Sequence, residues 1–371
     1  MLREAIQYVQ GMSVESAVSL GFSRFEVRYE DIEAAKEIAG CGGEIIGIVK
    51  NVSEMTAEAM KACIDKAGEY GAGYIILDTR GIASLSGISK LLEELSDVIA
   101  SAGIKIYIEN GYICSRGGHY HGESSDAGVL CRLVEKLNRT AGRIFEENDK
   151  ENNHKNGGYV FGICINVGYA NLLGINVSNF IIECGKYLAV MHMSDNNGIS
   201  DQQQMPYTFT TGRGINSTDW YHIIGALYKL RFDGLAVFDT VGTFKRTPTE
   251  LHQAMLELLR GIYSEWEACF NIEHRLNKPE KKLILFGAGK MAENYMDAFG
   301  EKYPPQFLVD NNSKIWGTKI LGLEVKSPEA ILEIPEDKRN VWICNTYYDA
   351  IGLQLDRMGV EYECYFDHYY L

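Results

Sequence analysis

The sequence contains no stretch of about 18 uninterrupted apolar residues, which argues against a membrane-spanning helix. It has no CxxC pair. Its nine cysteines are scattered singly at 41, 63, 114, 131, 164, 184, 269, 344 and 364, an arrangement that argues against a zinc ribbon or a disulfide frame. Several lie in apolar runs, such as Cys164 in GICIN and Cys344 in VWICN, so reduced, buried thiols of a cytoplasmic protein are expected. Positive charge is also short. Lys and Arg number 36 against 50 Asp and Glu, a net charge of −14 that disfavours a nucleic-acid surface. The first residues, MLREAIQYVQGMSVESAV, lack the basic start and apolar core of a signal peptide.

Hydrophobic residues make up 46% of 371, enough for a large core, and this length favours two domains. From 1 to 270, short apolar runs alternate with amphipathic stretches. The runs predict strands at 5–10, 24–30, 44–52, 74–79, 105–110, 159–167, 189–197 and 234–241. Between them lie helical patterns. In SGISKLLEELSDVIASAG (86–103), Ile88, Leu91, Leu92, Leu95, Val98 and Ile99 recur at three- and four-residue steps, and Gly71 and Gly103 are placed to close helices. Eight strand–helix units suit a closed (β/α)8 TIM barrel, although an open doubly wound sheet alternates in the same way. NIEHRLNKPEKK (271–282) reads as a linker, and 283–371 as a small Rossmann-like α/β domain with a parallel sheet.

Active sites of such barrels sit at the C-terminal ends of the strands. The polar residues expected there are Glu30, Lys50, Asp78, Glu109, Asn166, His192 with Asp195, and Asp239. Carboxylates with an imidazole suit a divalent cation such as Mn²⁺, Mg²⁺ or Zn²⁺; strands also end in polar residues simply because water begins there.

From about 105 to 240 the segments IYIEN, GICINVGYANLLG, VMHMSDNNGISDQQ, TGRGINSTDW and DGLAVFDT resemble the xylose-isomerase-like sugar phosphate isomerase/epimerase group in order and spacing. The resemblance implies a metal site of Glu109, Asn166, His192 and Asp239, with Glu109 and Asp239 as the catalytic acid and base. It departs from the family pattern in having Asn166 for Asp, Tyr169 for His, Gln203 for His and Asp239 for Glu, which removes one charge and shortens one ligand. These changes disfavour the family's three-zinc nuclease branch. Tyr169, Asp201 and Gln203 are the expected substrate-binding residues. His119 and His121 in SRGGHYHGE, and Arg213 in the GRG turn, are further candidates that equally suit ordinary loop roles. Trp220 is expected to pack at a helix start.

LILFGAGKMAENY fits G-x-G-x-x-A after a strand, with Asp310 ending the next strand 21 residues beyond Gly289. This pattern makes Gly287, Gly289 and Asp310 candidates for binding a nucleotide. The segment also resembles small domains attached to surface-polysaccharide sugar-modifying enzymes, which implies a nucleotide or nucleotide-sugar ligand; an unliganded packing domain is the alternative. The overall expectation is a metal-dependent sugar isomerase or epimerase transferring a proton beside a carbonyl. A non-catalytic carbohydrate- or nucleotide-sugar-binding barrel is the other reading, and an NAD-dependent oxidoreductase a distant third. A homo-oligomer is compatible with the sequence.

Overall fold

A computed structural model describes residues 2–53, 55–141, 159–209 and 218–365. The chain divides into two compact units, Met1–Glu267 and Ala268–Leu371. In the first, eight parallel strands close into a barrel: β1 (Arg3–Gln7), β2 (Arg24–Arg28), β3 (Glu44–Asn51), β4 (Tyr74–Asp78), β5 (Lys105–Glu109), β6 (Phe161–Asn166), β7 (Leu188–His192) and β8 (Leu235–Phe238). β1 pairs with both β2 and β8, so the ring has no free edge. The open doubly wound alternative is thereby removed. No helix among the described residues is long and apolar enough to cross a membrane.

Side chains alternate across a strand, so every second residue points into the barrel. Ala5, Val49, Tyr74, Ile76, Tyr107, Cys164, Val190 and Val237 form the packed interior layers. The next inward positions towards the C-terminal mouth are Gln7, Glu26, Arg28, Asp78, Glu109, Asn166, His192 and Asp239. Outward residues such as Phe25, Ile75 and Ile108 are fully buried beneath the surrounding helices. Trp220, at the first turn of helix Trp220–Lys229 as expected, stacks on Trp266 at 5.7 Å, and Trp266 stacks on Phe238 of β8 at 5.5 Å.

Local sequence explains the helix limits. Thr56 caps helix Ala57–Tyr70 by accepting from Ala59 N, and Gly71 ends it at φ 74°. The pattern at 86–103 forms two helices, Ser86–Glu94 and Ser96–Ala102, where one was expected. Ser96 Oγ donates to Glu93 O at 3.0 Å, a local bond that competes with the helical ladder at the break.

The second unit carries a six-stranded sheet of β9 (Lys282–Phe286), β10 (Phe307–Val309), β11 (Lys319–Ile320), β12 (Leu323–Lys326), β13 (Arg339–Ile343) and β14 (Tyr362–Cys364). The spatial order is β11-β12-β10-β9-β13-β14. All neighbours are parallel except the short β11–β12 pair, so the sheet is mixed where a purely parallel one was expected. The expected linker at 271–282 also holds a helical turn, Ile272–Leu276, because its two apolar residues lie four apart and both are buried.

Candidate active site

The side chains at the barrel mouth form one continuous hydrogen-bonded chain. Tyr74 OH donates to Glu26 Oε1 at 2.6 Å, and Glu26 Oε2 meets His192 Nε2 at 2.9 Å. His192 Nδ1 meets Glu109 Oε1 at 2.6 Å. Asn166 Nδ2 donates to both Glu109 Oε1 (3.0 Å) and Asp239 Oδ2 (3.1 Å), and Gln203 Nε2 reaches Asp239 at 3.2 Å. Thus Glu109, Asn166, His192 and Asp239, distant in sequence, meet at one place, with no more than 1% of each exposed.

Electrostatics follow from that burial. Loss of solvent raises the Glu109 carboxyl above the usual range, against the opposing pull of His192. Burial alone would lower His192, but Cys164, Glu26 and Glu109 outweigh it and hold the imidazole well above its ordinary value. The raised imidazole has a carboxyl group at each ring nitrogen, Glu26 at Nε2 and Glu109 at Nδ1. Cys164, below it on β6, is itself pushed up to about 12 by burial.

A second group lies beside the first. Asp78 takes Arg80 in a fork, at 3.0 Å from Nε and 2.6 Å from Nη2, while Arg80 Nη1 reaches Asp201 Oδ2 at 3.3 Å. Tyr112 OH donates to the same Asp201 oxygen at 3.1 Å. The Arg80 guanidinium lies 5.2 Å from the Tyr169 ring centre, and Tyr169 packs edge-on to Tyr112. Tyr169, Asp201 and Gln203 therefore all lie at the mouth. His119 packs edge-on against Tyr112, whereas His121 Nδ1 bonds Ser125 Oγ at 3.1 Å and is exposed. Arg213 lies outside the described residues.

Three strand-end expectations take other roles. Glu30 falls in the 3₁₀ turn after β2 and is exposed, paired with Lys50 at 3.4 Å. Asp195 accepts from Thr218 Oγ1 at 2.7 Å and Phe209 N at 3.1 Å, which ties those two residues to the end of β7. Glu26, Arg28, Tyr74 and Arg80 were not singled out from the sequence. Strict alternation along RFEVR would have found the first two, since Phe25 and Val27 are the apolar, outward pair.

A glycine sets the position of Tyr74. A Cβ on Gly47 of β3 would lie 2.1 Å from the Tyr74 ring, so the phenol occupies the space this residue leaves open. Gly47→Ala should displace the ring, loosen the Tyr74–Glu26–His192 chain and cost about 1–3 kcal/mol of stability in thermal or denaturant melts. If Tyr74→Phe already removes that chain, adding Gly47→Ala should cost less than in the wild-type background.

The donors can be tested against a divalent cation. Glu109, Cys164 and His192 bring ligand atoms within 4.8 Å of one another, a candidate metal site. Glu26, itself held by Tyr74, grips His192 through Nε2 and directs Nδ1 towards Glu109, the arrangement that orients a ligating imidazole. Asn166 is turned the other way. Its Oδ1 accepts from Tyr169 N and Ser194 Oγ, both at 3.2 Å, leaving its amide nitrogen to face the two carboxylates. The candidate cation site is thus Glu109, Cys164 and His192, with Asp239 linked to Glu109 through the Asn166 amide.

No family model and no curated protein sequence matches the chain. Solved structures do. An L-ribulose 3-epimerase aligns with a TM-score of 0.52 at 13% identity, over 75% of this chain and 98% of that one. The fold of the barrel is shared. A D-psicose 3-epimerase determined in the presence of D-fructose aligns at 0.48 and 14%, over 72% and 99% of the two chains. A xylose isomerase domain containing protein from Salmonella typhimurium aligns at 0.47 and 14%, over 70% and 96%.

In the second unit, Asp310 is committed to the backbone. Its Oδ2 accepts from Ala288 N at 3.0 Å and its Oδ1 from Asn312 N at 2.8 Å. The carboxylate expected to meet ribose hydroxyls also ties the Gly287–Gly289 turn to the end of β10. The helix that follows, Lys290–Tyr295, has six residues.

Proposed function

We propose that the barrel is a sugar isomerase or epimerase that moves a proton at a carbon beside a carbonyl in a small polyhydroxylated substrate. The observation that carries this reading is the pairing of Glu109 and Asp239 on one Asn166 amide, within 3.1 Å, at the catalytic end of the barrel. Two carboxylates held around a common point supply an acid and a base for the same carbon. Burial sets Glu109 apart, because its raised pKa favours the protonated form, the one an acid needs.

The other residues hold this pair in place. Asn166 and Gln203 fix the two carboxylates through N–H donors. Glu26 and Tyr74 anchor His192, whose imidazole holds Glu109 in one orientation. Arg80, stacked on Tyr169, and Tyr112 set Asp201 at the rim, where it accepts hydroxyl protons from substrate. A divalent cation bound at Glu109 and His192 would polarise the substrate carbonyl oxygen. His192 would give up its Nδ1 proton to hold that ion.

The test is solvent-deuterium incorporation. Wild-type protein with Mn²⁺, Mg²⁺ or Zn²⁺ is incubated in D2O with D-fructose, D-psicose, D-tagatose and L-ribulose, and deuterium at the carbon beside the carbonyl is read by NMR. Incorporation supports proton transfer. A barrel that binds these sugars with no exchange under any cation is a binding protein, and the enzymatic reading fails.

A further inference from the structure

Gln7 stands out among the buried polar groups of the barrel. It is the last residue of β1, on the inward face one layer above Ala5 of the barrel interior. Its register partner on β2 is Glu26, and on the other side Ile6 pairs with Phe238, which sets Gln7 beside Asp239. Only 1% of Gln7 is exposed, yet neither its amide oxygen nor its amide nitrogen has a hydrogen-bond partner among the described residues. An interior position filled for packing alone would carry an apolar side chain, because an unpaired buried amide is costly.

We propose that Gln7 is the residue that recognises a pair of neighbouring hydroxyls on the substrate. The chemistry of the position narrows the ligand. A primary amide presents one acceptor and one donor side by side in a plane, so a group that satisfies both must donate and accept at adjacent atoms. A cation would satisfy only the oxygen and an anion only the nitrogen. An anionic group is further disfavoured by the Glu26 and Asp239 carboxylates that flank Gln7 along the ring of strands. A neutral vicinal diol meets every condition. At the same mouth, Asp201 Oδ1 is also buried without a partner among the described residues, while its Oδ2 is held by Arg80 and Tyr112. The inference rests on the sugar reading of the barrel and specifies which part of the sugar is read.

The experiment uses binding and stability, with no turnover. The full chain is titrated with xylitol, which has adjacent hydroxyls, and with pentane-1,5-diol, which has the same carbon count and none. Gln7→Met retains the volume and removes the amide. In the ligand-free state it should melt about 2–4 °C higher than wild type, because an unsatisfied buried group is gone. The same variant should bind xylitol about ten-fold more weakly. A Gln7→Leu variant makes both comparisons where Met overfills the layer. Xylitol binding unchanged in the variants, a wild type that does not prefer xylitol over the diol, or a lower melting temperature in both variants would each overturn the proposal. Xylitol binding that depends on Gln7 without any deuterium exchange would leave the diol site standing and remove only the proton-transfer reading.

Discussion

Replacing Asn166 with Asp should make the stability of the barrel depend on a divalent cation. In the wild type, the Asn166 amide donates to Glu109 at 3.0 Å and to Asp239 at 3.1 Å, and so stands between two buried carboxylates. Asn166→Asp removes both donors and puts a third carboxylate in that place. Like charges at such distances do not ionise together without a counter-ion. In chelator the variant should lose about 3 kcal/mol or more, read as a lower melting temperature. Added Mn²⁺ binds only the folded site, so at a hundred times its dissociation constant it should restore about 2.7 kcal/mol. Wild type, with one carboxylate fewer, should respond less. Equal melting temperatures for the two proteins in chelator, or no response of the variant to Mn²⁺, would show that position 166 does not face the common centre.

Asp78→Asn should be among the most destabilising single changes in the barrel. Asp78 is 0% exposed and receives the Arg80 guanidinium in a fork, with Arg28 Nη1 at 3.9 Å from the same carboxylate. Burial would raise its pKa, but the bonds and charge of Arg80, then the charge of Arg28, hold it below the usual aspartate value of 3.8. The neutral amide leaves two guanidinium groups near each other, with Asp201 still bonded to Arg80. Breaking a buried ion pair in this way costs about 3–5 kcal/mol, a fall of roughly 10 °C in Tm for a unit of this size. The pH dependence has a definite sign. A depressed carboxylate stabilises the fold fully above its unfolded pKa, and this contribution fades as pH falls through the lower folded value. The gap in stability between wild type and Asp78→Asn should therefore be full at neutral pH and shrink below about 3.8. A gap independent of pH would contradict the role given to the Asp78 charge.

The fold was legible where the physics is local. Eight apolar runs separated by amphipathic helices, with Gly71 and Gly103 as stops, carry the barrel, because strand burial and helix capping act over a few residues. Glu109 and His192 were legible as well, since a polar residue closing an apolar run has few other reasons to be there. Glu26, Arg28 and Gln7 were harder, because the last polar residue of each run drew attention from the inward one. Glu30 ends its run but faces water; Glu26, four residues earlier, lies on the inward side of the pleat. Arg80 lies beyond the strand and gains its meaning only from Asp201, 121 positions away. The turning of the Asn166 amide depends on Tyr169 N and Ser194 Oγ, and the use of Asp310 on Ala288 N. Such orientations are set by long-range partners that a linear reading does not supply.

The most direct test of the account is a double-mutant cycle on the two carboxylates, read by deuterium uptake into whichever of the four ketoses wild type exchanges. If Glu109 and Asp239 act on one carbon as a unit, Glu109→Gln and Asp239→Asn should each lower the exchange rate by about 10²–10⁴. The double variant should then be hardly slower than the worse single one. Independent, additive losses, or full exchange in Glu109→Gln, would contradict it.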